Sequence, residues 1–159
     1  MMESLSDKLK SLNVHLGAGN IPRPQPRPSY AIEQVIPGRT VATLFGEAYI
    51  VEKNYALDYR HGLVDLCAAA PLSILSAWGR ANHLAECPLS NFVFLDTETT
   101  GLSGGTGTLV FLVGLGHIAG DGFHLTQLLL REPQEERAML AALGQFLDPF
   151  QAVVTYNGK

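Results

Sequence analysis

Cysteine is scarce in this chain of 159 residues: there are two, Cys67 and Cys87, set far apart and in no CxxC pair. That count excludes a disulfide framework and gives no zinc or redox signature, so both read as ordinary reduced thiols. Charge is sparse as well. Asp, Glu, Lys and Arg make up 16% of the residues and the net charge is -4, so the chain as a whole lacks the basic footprint of a nucleic-acid binder. Long apolar runs are missing too. The longest, in LVFLVGLGHIAG, is broken by Gly114 and Gly116 and falls short of the roughly 20 residues that a membrane-spanning helix needs. Nor does MMESLSDKLKSLNVHLG carry the basic start, apolar core and small-residue cleavage site of a secretory signal, which sets a cytoplasmic expectation with no membrane partner. The histidines at 15, 61, 83, 117 and 124 show no HxH or HxxxH spacing, so a zinc site is not expected.

What the chain does have is apolar material, at 47% of residues with a mean hydropathy of +0.13. Its length suits one core and an appendage. Leu5, Leu9, Leu12 and Leu16 recur at helical spacing and predict a short amphipathic helix over residues 3 to 16, ended by Gly17. After it, GAGNIPRPQPRPSY alternates proline through Pro22, Pro24, Pro26 and Pro28 and predicts an extended, polyproline-like arm. Its Arg23 and Arg27 are either simply solvated or part of a protein-docking segment that includes the helix. The clusters VIPGRTVATLFG and AYIVEKNYAL predict two or three short strands as a hairpin or meander. PLSILSAWGRANHL predicts a helix with Pro71 at its first position and Leu72, Leu75 and Trp78 on one face, which reads Trp78 as core.

The C-terminal part is the most regular. Strand NFVFLDTE, the Gly-rich turn GLSGGTGT, strands LVFLVGLGHI and FHLTQLLL, helix PQEERAMLAALGQFL and strand AVVTYN follow in order. Short connections let the first three strands pair antiparallel, and the helical crossover lets the last lie parallel to the first. Glu135 and Glu136 open the helix, where they complement its dipole. The expected organisation is a helix and arm over 1–30, a small α+β extension over 31–90, and over 91–159 a mixed α/β half-domain that ends without a helix to cover its last strand, and so looks like a fragment.

The chemistry concentrates at DTE. On a strand, here expected to be buried, Asp96 and Glu98 project from the same face. Two carboxylates so placed suit a hard divalent cation, magnesium or manganese, of the kind that activates water and stabilises a leaving oxygen in phosphodiester hydrolysis. Spacing alone favours a plainer account, in which Asp96 caps a turn, Glu98 faces solvent and the threonines complete local hydrogen bonds. The glycines of GLSGGTGT match neither a P-loop nor a dinucleotide fingerprint and read as a turn.

FLDTETTGL, the Gly-rich loop after it, an apolar strand, a Gln-containing strand, an EE-bearing helix and VTYNGK together resemble the YprB-type ribonuclease-H-like family of the DnaQ-like, or DEDD, exonuclease superfamily. The likeness is strong over 92–159 and weaker upstream, in FGEAYIVEKNY and HGLVDL. It implies a ribonuclease-H-like fold and a metal-dependent, 3'-to-5' exonuclease-like activity on single-stranded DNA or RNA. Asp96 would bridge two Mg2+ or Mn2+ ions, Glu98 would hold one and position water, and Thr99, Thr100, Gly101 and Leu102 would line the terminal nucleotide. The family's second acidic motif comes just after NGK and its third later still, so the two-metal site would be incomplete in this chain and hydrolysis by it alone is not expected. The alternative is a non-catalytic binding or scaffold module on the same sheet.

Overall fold

A computed structural model describes residues 7–8, 11–12, 30–66, 72–101 and 108–156. Two compact units emerge, Met1–Tyr30 and Ala31–Lys159. In the first, Leu12 N–H donates to the Lys8 carbonyl at 3.3 Å, one helical turn of the helix expected over 3 to 16. Leu5, Leu9, Leu16 and the proline-rich arm lie outside the described residues.

The second unit is a mixed α/β assembly built on one sheet. In chain order its elements are α1 (Ile32–Val35), β1 (Arg39–Thr43), β2 (Gly46–Tyr55), β3 (Arg60–His61), β4 (Val64–Asp65), α2 (Leu72–Trp78), β5 (Phe92–Thr99), β6 (Val110–Ala119), β7 (Gly122–Leu129), α3 (Glu136–Leu147) and β8 (Ala152–Thr155). Six strands form the main sheet in the order β1-β2-β7-β6-β5-β8. The strands β5, β6 and β7 pair antiparallel in sequence, and β8 returns through α3 to lie parallel to β5. This is the mixed sheet expected from the C-terminal strand order, and it agrees with the ribonuclease-H-like fold that the resemblance implies.

The boundary expected near residue 90 does not divide the sheet. The hairpin of β1 and β2 forms as its sequence predicts, with Thr43 Oγ1 donating to the Gly46 carbonyl at 2.8 Å across the turn. Instead of standing apart as an extension, β2 pairs antiparallel with β7 from Tyr49↔Leu129 to Tyr55↔Phe123. The reason is that β7 would otherwise present a bare edge of backbone donors and acceptors, and β2 carries an apolar face able to join the same core. Only β3 and β4 form a separate small ladder.

One face of the sheet is closed by α3. Val93, Val113, Leu115 and Leu128 alternate onto that face and pack with Ile50, Ala138 and Met139, while Leu143, Phe146 and Phe150 extend the contact. Each fully buried side chain of this kind contributes about 1.5–3 kcal/mol, which makes this layer the main stabilising element. Near β2 the other face is covered by the chain around residue 36, where the Tyr49 hydroxyl donates to the Ile36 carbonyl at 2.7 Å. Arg131 ties that region to the start of α3, with Nη1 2.6 Å from Glu33 and Nη2 2.5 Å from Glu135. The bonds to Glu135 and Glu33 raise the Arg131 pKa, and a backbone hydrogen bond to the Glu33 carboxylate, with the bond from Arg131 second, holds Glu33 below the usual carboxylate range.

The helix expected from Pro71 is shorter than its apolar pattern suggests. It ends at Trp78, because Gly79 follows and Arg80 takes a left-handed conformation with φ 52°, a geometry that stops an α-helix. Trp78 is not core: it is 79% exposed. Pro71 and Cys67 lie outside the described residues, and Cys87 is a free thiol. Among the described residues no helix is long and apolar enough to cross a membrane.

Candidate active site

The strand β5 changes character along its length. Phe92 and Val93 are buried, whereas every residue from Asp96 to Thr99 is exposed, so the acidic pair sits at the open end of the strand instead of in a buried stretch. Alternation places Val93 on the α3 side and Phe94, Asp96 and Glu98 on the opposite side. The parallel partner β8 pairs with β5 only as far as Leu95↔Thr155. Asp96 and Glu98 therefore lie on the part of β5 that runs on past the end of β8, at the carboxyl edge where open α/β sheets place their ligands. Just past Glu98 the β5–β6 register shifts, an irregularity that ends regular pairing and re-aims the strand.

The carboxylates open onto a groove of about 980 Å³ that runs over the uncovered face of β5, β6 and β7. Its floor includes Gly114 and Gly116 of β6, its apolar walls include Phe94, Leu112, Phe123 and Leu125, and Leu75 and Trp78 of α2 reach its rim together with Tyr156 beyond β8. The volume lies at the upper end of the range for small-molecule sites, and the blend of apolar walls with few polar groups is the usual composition of one. Neither Asp96 nor Glu98 makes a side-chain hydrogen bond or ion pair among the described residues, so both are free to engage a ligand.

The flanking residues behave differently. Thr99 Oγ1 donates to the Gly101 carbonyl at 3.3 Å, and Thr100 Oγ1 accepts from Leu109 N–H at 3.0 Å while Thr100 N–H donates to the Leu109 carbonyl at 2.9 Å. These threonines close the base of the loop between β5 and β6, as the plainer account of DTETT supposes. Leu102 lies outside the described residues.

A second polar cluster sits away from the groove, on the α3 side of the β6–β7 hairpin. The rings of His117 and His124 stack at 5.1 Å, Phe146 and Phe150 meet His117 edge-on, and His124 Nε2 lies 2.8 Å from Asp121 Oδ1. Nδ1 of His117 is buried without a hydrogen-bond partner. Burial pushes the His117 pKa down, and the neighbouring His124 adds to the shift; the bond to His124 holds Asp121 low.

Residues 93–159 match the family model of the RNase_H superfamily. Over 123 residues, 73% of its length, the chain is 33% identical to the uncharacterized protein YprB of Bacillus subtilis (strain 168). The chain belongs to the YprB-type ribonuclease-H-like family. It spans 29% of that relative's length, less than a third.

Ribonuclease-H-like nucleases commonly use divalent metal ions, and this YprB-type chain offers two carboxylates for that chemistry. Two free, exposed carboxylates on one strand face fit a single magnesium ion, which is satisfied by one or two carboxylates together with waters and substrate oxygens. They do not complete a two-ion site, since among the described residues no group of three or more His, Cys, Asp or Glu is placed to hold a metal. Sequence reasoning singled out the carboxylates but missed the other groove residues. Gln127 and Gly114 are ordinary strand residues until the register aligns them with Asp96, and Trp78 reads as core from sequence because a helical stripe does not say which side is covered.

Proposed function

We propose that this chain carries part of a metal-dependent nuclease site of the 3'-to-5' exonuclease-like type, acting on the end of a single-stranded DNA or RNA. The observation that carries the reading is the placement of Asp96 and Glu98, on one face and without side-chain partners among the described residues, at the mouth of the groove where β5 outruns β8. Membership of a ribonuclease-H-like family supports the same chemistry. A bound magnesium or manganese ion would be held by Asp96 and Glu98 and would supply Lewis-acid activation of phosphodiester hydrolysis. The protein's own part is to hold the two carboxylates at a fixed spacing on the end of a rigid strand and to offer an apolar groove that shields the terminal residue from water. The remaining acidic ligands are expected from residues outside those described.

The test compares this 159-residue chain with a version extended through any residues that follow it in its reading frame. Each is incubated with 3'-labelled and 5'-labelled single strands in the presence of magnesium, manganese or EDTA. Metal-dependent release of mononucleotides from the 3' end by the extended version, and not by the 159-residue chain, is the expected result. Inactivity of both proteins in every metal condition would replace the nuclease reading with that of a non-catalytic binding module.

A further inference from the structure

The main sheet begins at β1, whose outer row of backbone N–H and C=O groups faces no further strand among the described residues. Such an edge is a template for pairing with another chain, and folded proteins usually blunt it with lysine, proline or a bulge. None of these is present in β1. Its sequence is RTVAT, and it pairs with β2 from Arg39↔Ile50 to Thr43↔Gly46 without a break in register. Its one charge, on Arg39, is held by the Glu52 carboxylate of β2 at 2.8 and 3.0 Å. Thr40, Val41, Ala42 and Thr43 are left as an uncharged edge of small and β-branched residues.

Both ends of this strand are flanked by exposed apolar side chains. Just after it, Leu44 and Phe45 form the tip of the β1–β2 hairpin and are 96% and 60% exposed; just before it, Val35 is 63% and Ile36 37% exposed. The bend itself does not call for Leu44 or Phe45. Thr43 Oγ1 accepts from Phe45 N–H at 3.1 Å while donating to the Gly46 carbonyl, and Gly46 takes a φ of 116°. The turn is thus shaped by the residues on either side, and its two central positions, where hairpins favour Asn, Asp and Gly, carry large apolar groups instead. Neither belongs to the core. Adjacent apolar side chains held outward on a pinned turn mark a contact surface.

We propose that β1 is a homodimer interface, in which two copies of the chain pair edge to edge and antiparallel about a two-fold axis through Val41. The occupant is a second copy because the edge and its flanks are self-complementary. In that register Thr40 lies opposite Ala42 of the partner subunit and Arg39 opposite Thr43 of the partner subunit, so no like charges meet along the strand. The same spacing continued past the strand sets Leu44 and Phe45 of each copy against Gly38, Pro37 and Ile36 of the other. Each hairpin tip then covers the apolar residues that lead into the other copy's β1. The contact uses one patch on both subunits and closes on itself. In the sheet, β2, β7 and β6 stand between β1 and β5, so the groove beside Asp96 stays open and the inference does not depend on the nuclease reading.

Sedimentation equilibrium of the 159-residue chain over a range of concentrations tests this, and a monomer–dimer equilibrium is the expected result. Leu44→Ser and Phe45→Ser should each weaken dimerisation by about 100-fold or more, because every dimer loses the apolar side chain twice. Both positions are exposed, so the circular dichroism spectrum and cooperative unfolding should be unchanged. A second variant reads the axis. In a background with Cys67→Ser and Cys87→Ser, Val41→Cys should form an intermolecular disulfide under mild oxidation. Residues directly opposite in an antiparallel pair have α-carbons about 4.5–5.5 Å apart, within the reach of that bond. A wild-type chain that stays monomeric at every concentration overturns the proposal. So does a dimer that keeps its affinity in both serine variants, or a folded, dimeric Val41→Cys variant that fails to cross-link.

Discussion

Replacing Asp96 by Asn separates a functional carboxylate from a structural one, and the structure sets the size of the effect. Asp96 and Glu98 are two residues apart on a strand, which puts their α-carbons about 7 Å apart. Two unit charges at that distance repel by about 0.6 kcal/mol in water, and physiological salt, with a Debye length of about 8 Å, reduces this to a few tenths. The Asp96 side chain is exposed and makes no hydrogen bond or ion pair among the described residues, so nothing offsets the relief when the charge is removed. Asp96→Asn should therefore leave the chain as stable as wild type or slightly more so. On a scale where 1 kcal/mol moves Tm by roughly 3–5 °C for a unit of this size, the shift should be between zero and about +2 °C at pH 7. It should shrink as sodium chloride is added. Thermal unfolding followed by circular dichroism on the 159-residue chain measures this, and Glu98→Gln with the double variant completes a cycle in which the second neutralisation brings no further relief of the pair repulsion. In whichever version hydrolyses the labelled strand, the same Asp96→Asn change should abolish hydrolysis. A fall in Tm of more than about 3 °C would show that the carboxylate holds the strand end together, and retained hydrolysis would remove Asp96 from the proposed chemistry.

Further outcomes follow from other parts of the fold. Because the His117 pKa is lowered on folding, the unfolded chain binds a proton that the folded chain resists. Stability should be constant above the ordinary histidine value of about 6.5 and decline as pH falls from there towards the lower folded value; His117→Phe should flatten that decline in urea titrations run at several pH values, and an unchanged slope would contradict the burial argument. Arg131→Met should cost about 1–2 kcal/mol, since it removes charge-assisted bonds to Glu33 and Glu135 that are partly screened by solvent, and chemical denaturation would detect it; a loss below about 0.3 kcal/mol would mean that the clasp contributes nothing. Trp78 is the sole tryptophan and is mostly exposed at the groove rim. Its fluorescence in the 159-residue chain should be red-shifted and readily quenched by acrylamide, whereas a blue-shifted, protected emission would restore it to the core.

The sequence by itself determined the order of strands and helix from Phe92 onward, because those signals are local. Alternation in FVFLDTET puts Asp96 and Glu98 on one face whatever surrounds them, and the short turn between Ala119 and Gly122 leaves β6 and β7 little choice but to pair. It also supplied the family, through a run of residues whose spacing is fixed by one strand and its following turn. Tertiary structure decided the rest. That β2 completes the main sheet instead of forming a separate extension depends on the open edge of β7, some seventy residues away in the chain. That Trp78 faces outward depends on which elements cover α2, and a helical stripe of apolar residues is the same whether it is covered or not. The row of Asp96, Gly114 and Gln127 exists only through the register of three strands: sliding one of them by a single residue would send its side chain to the α3 side. Local chemistry is written in adjacent residues, but a site assembled across strands is written in the pairing between them.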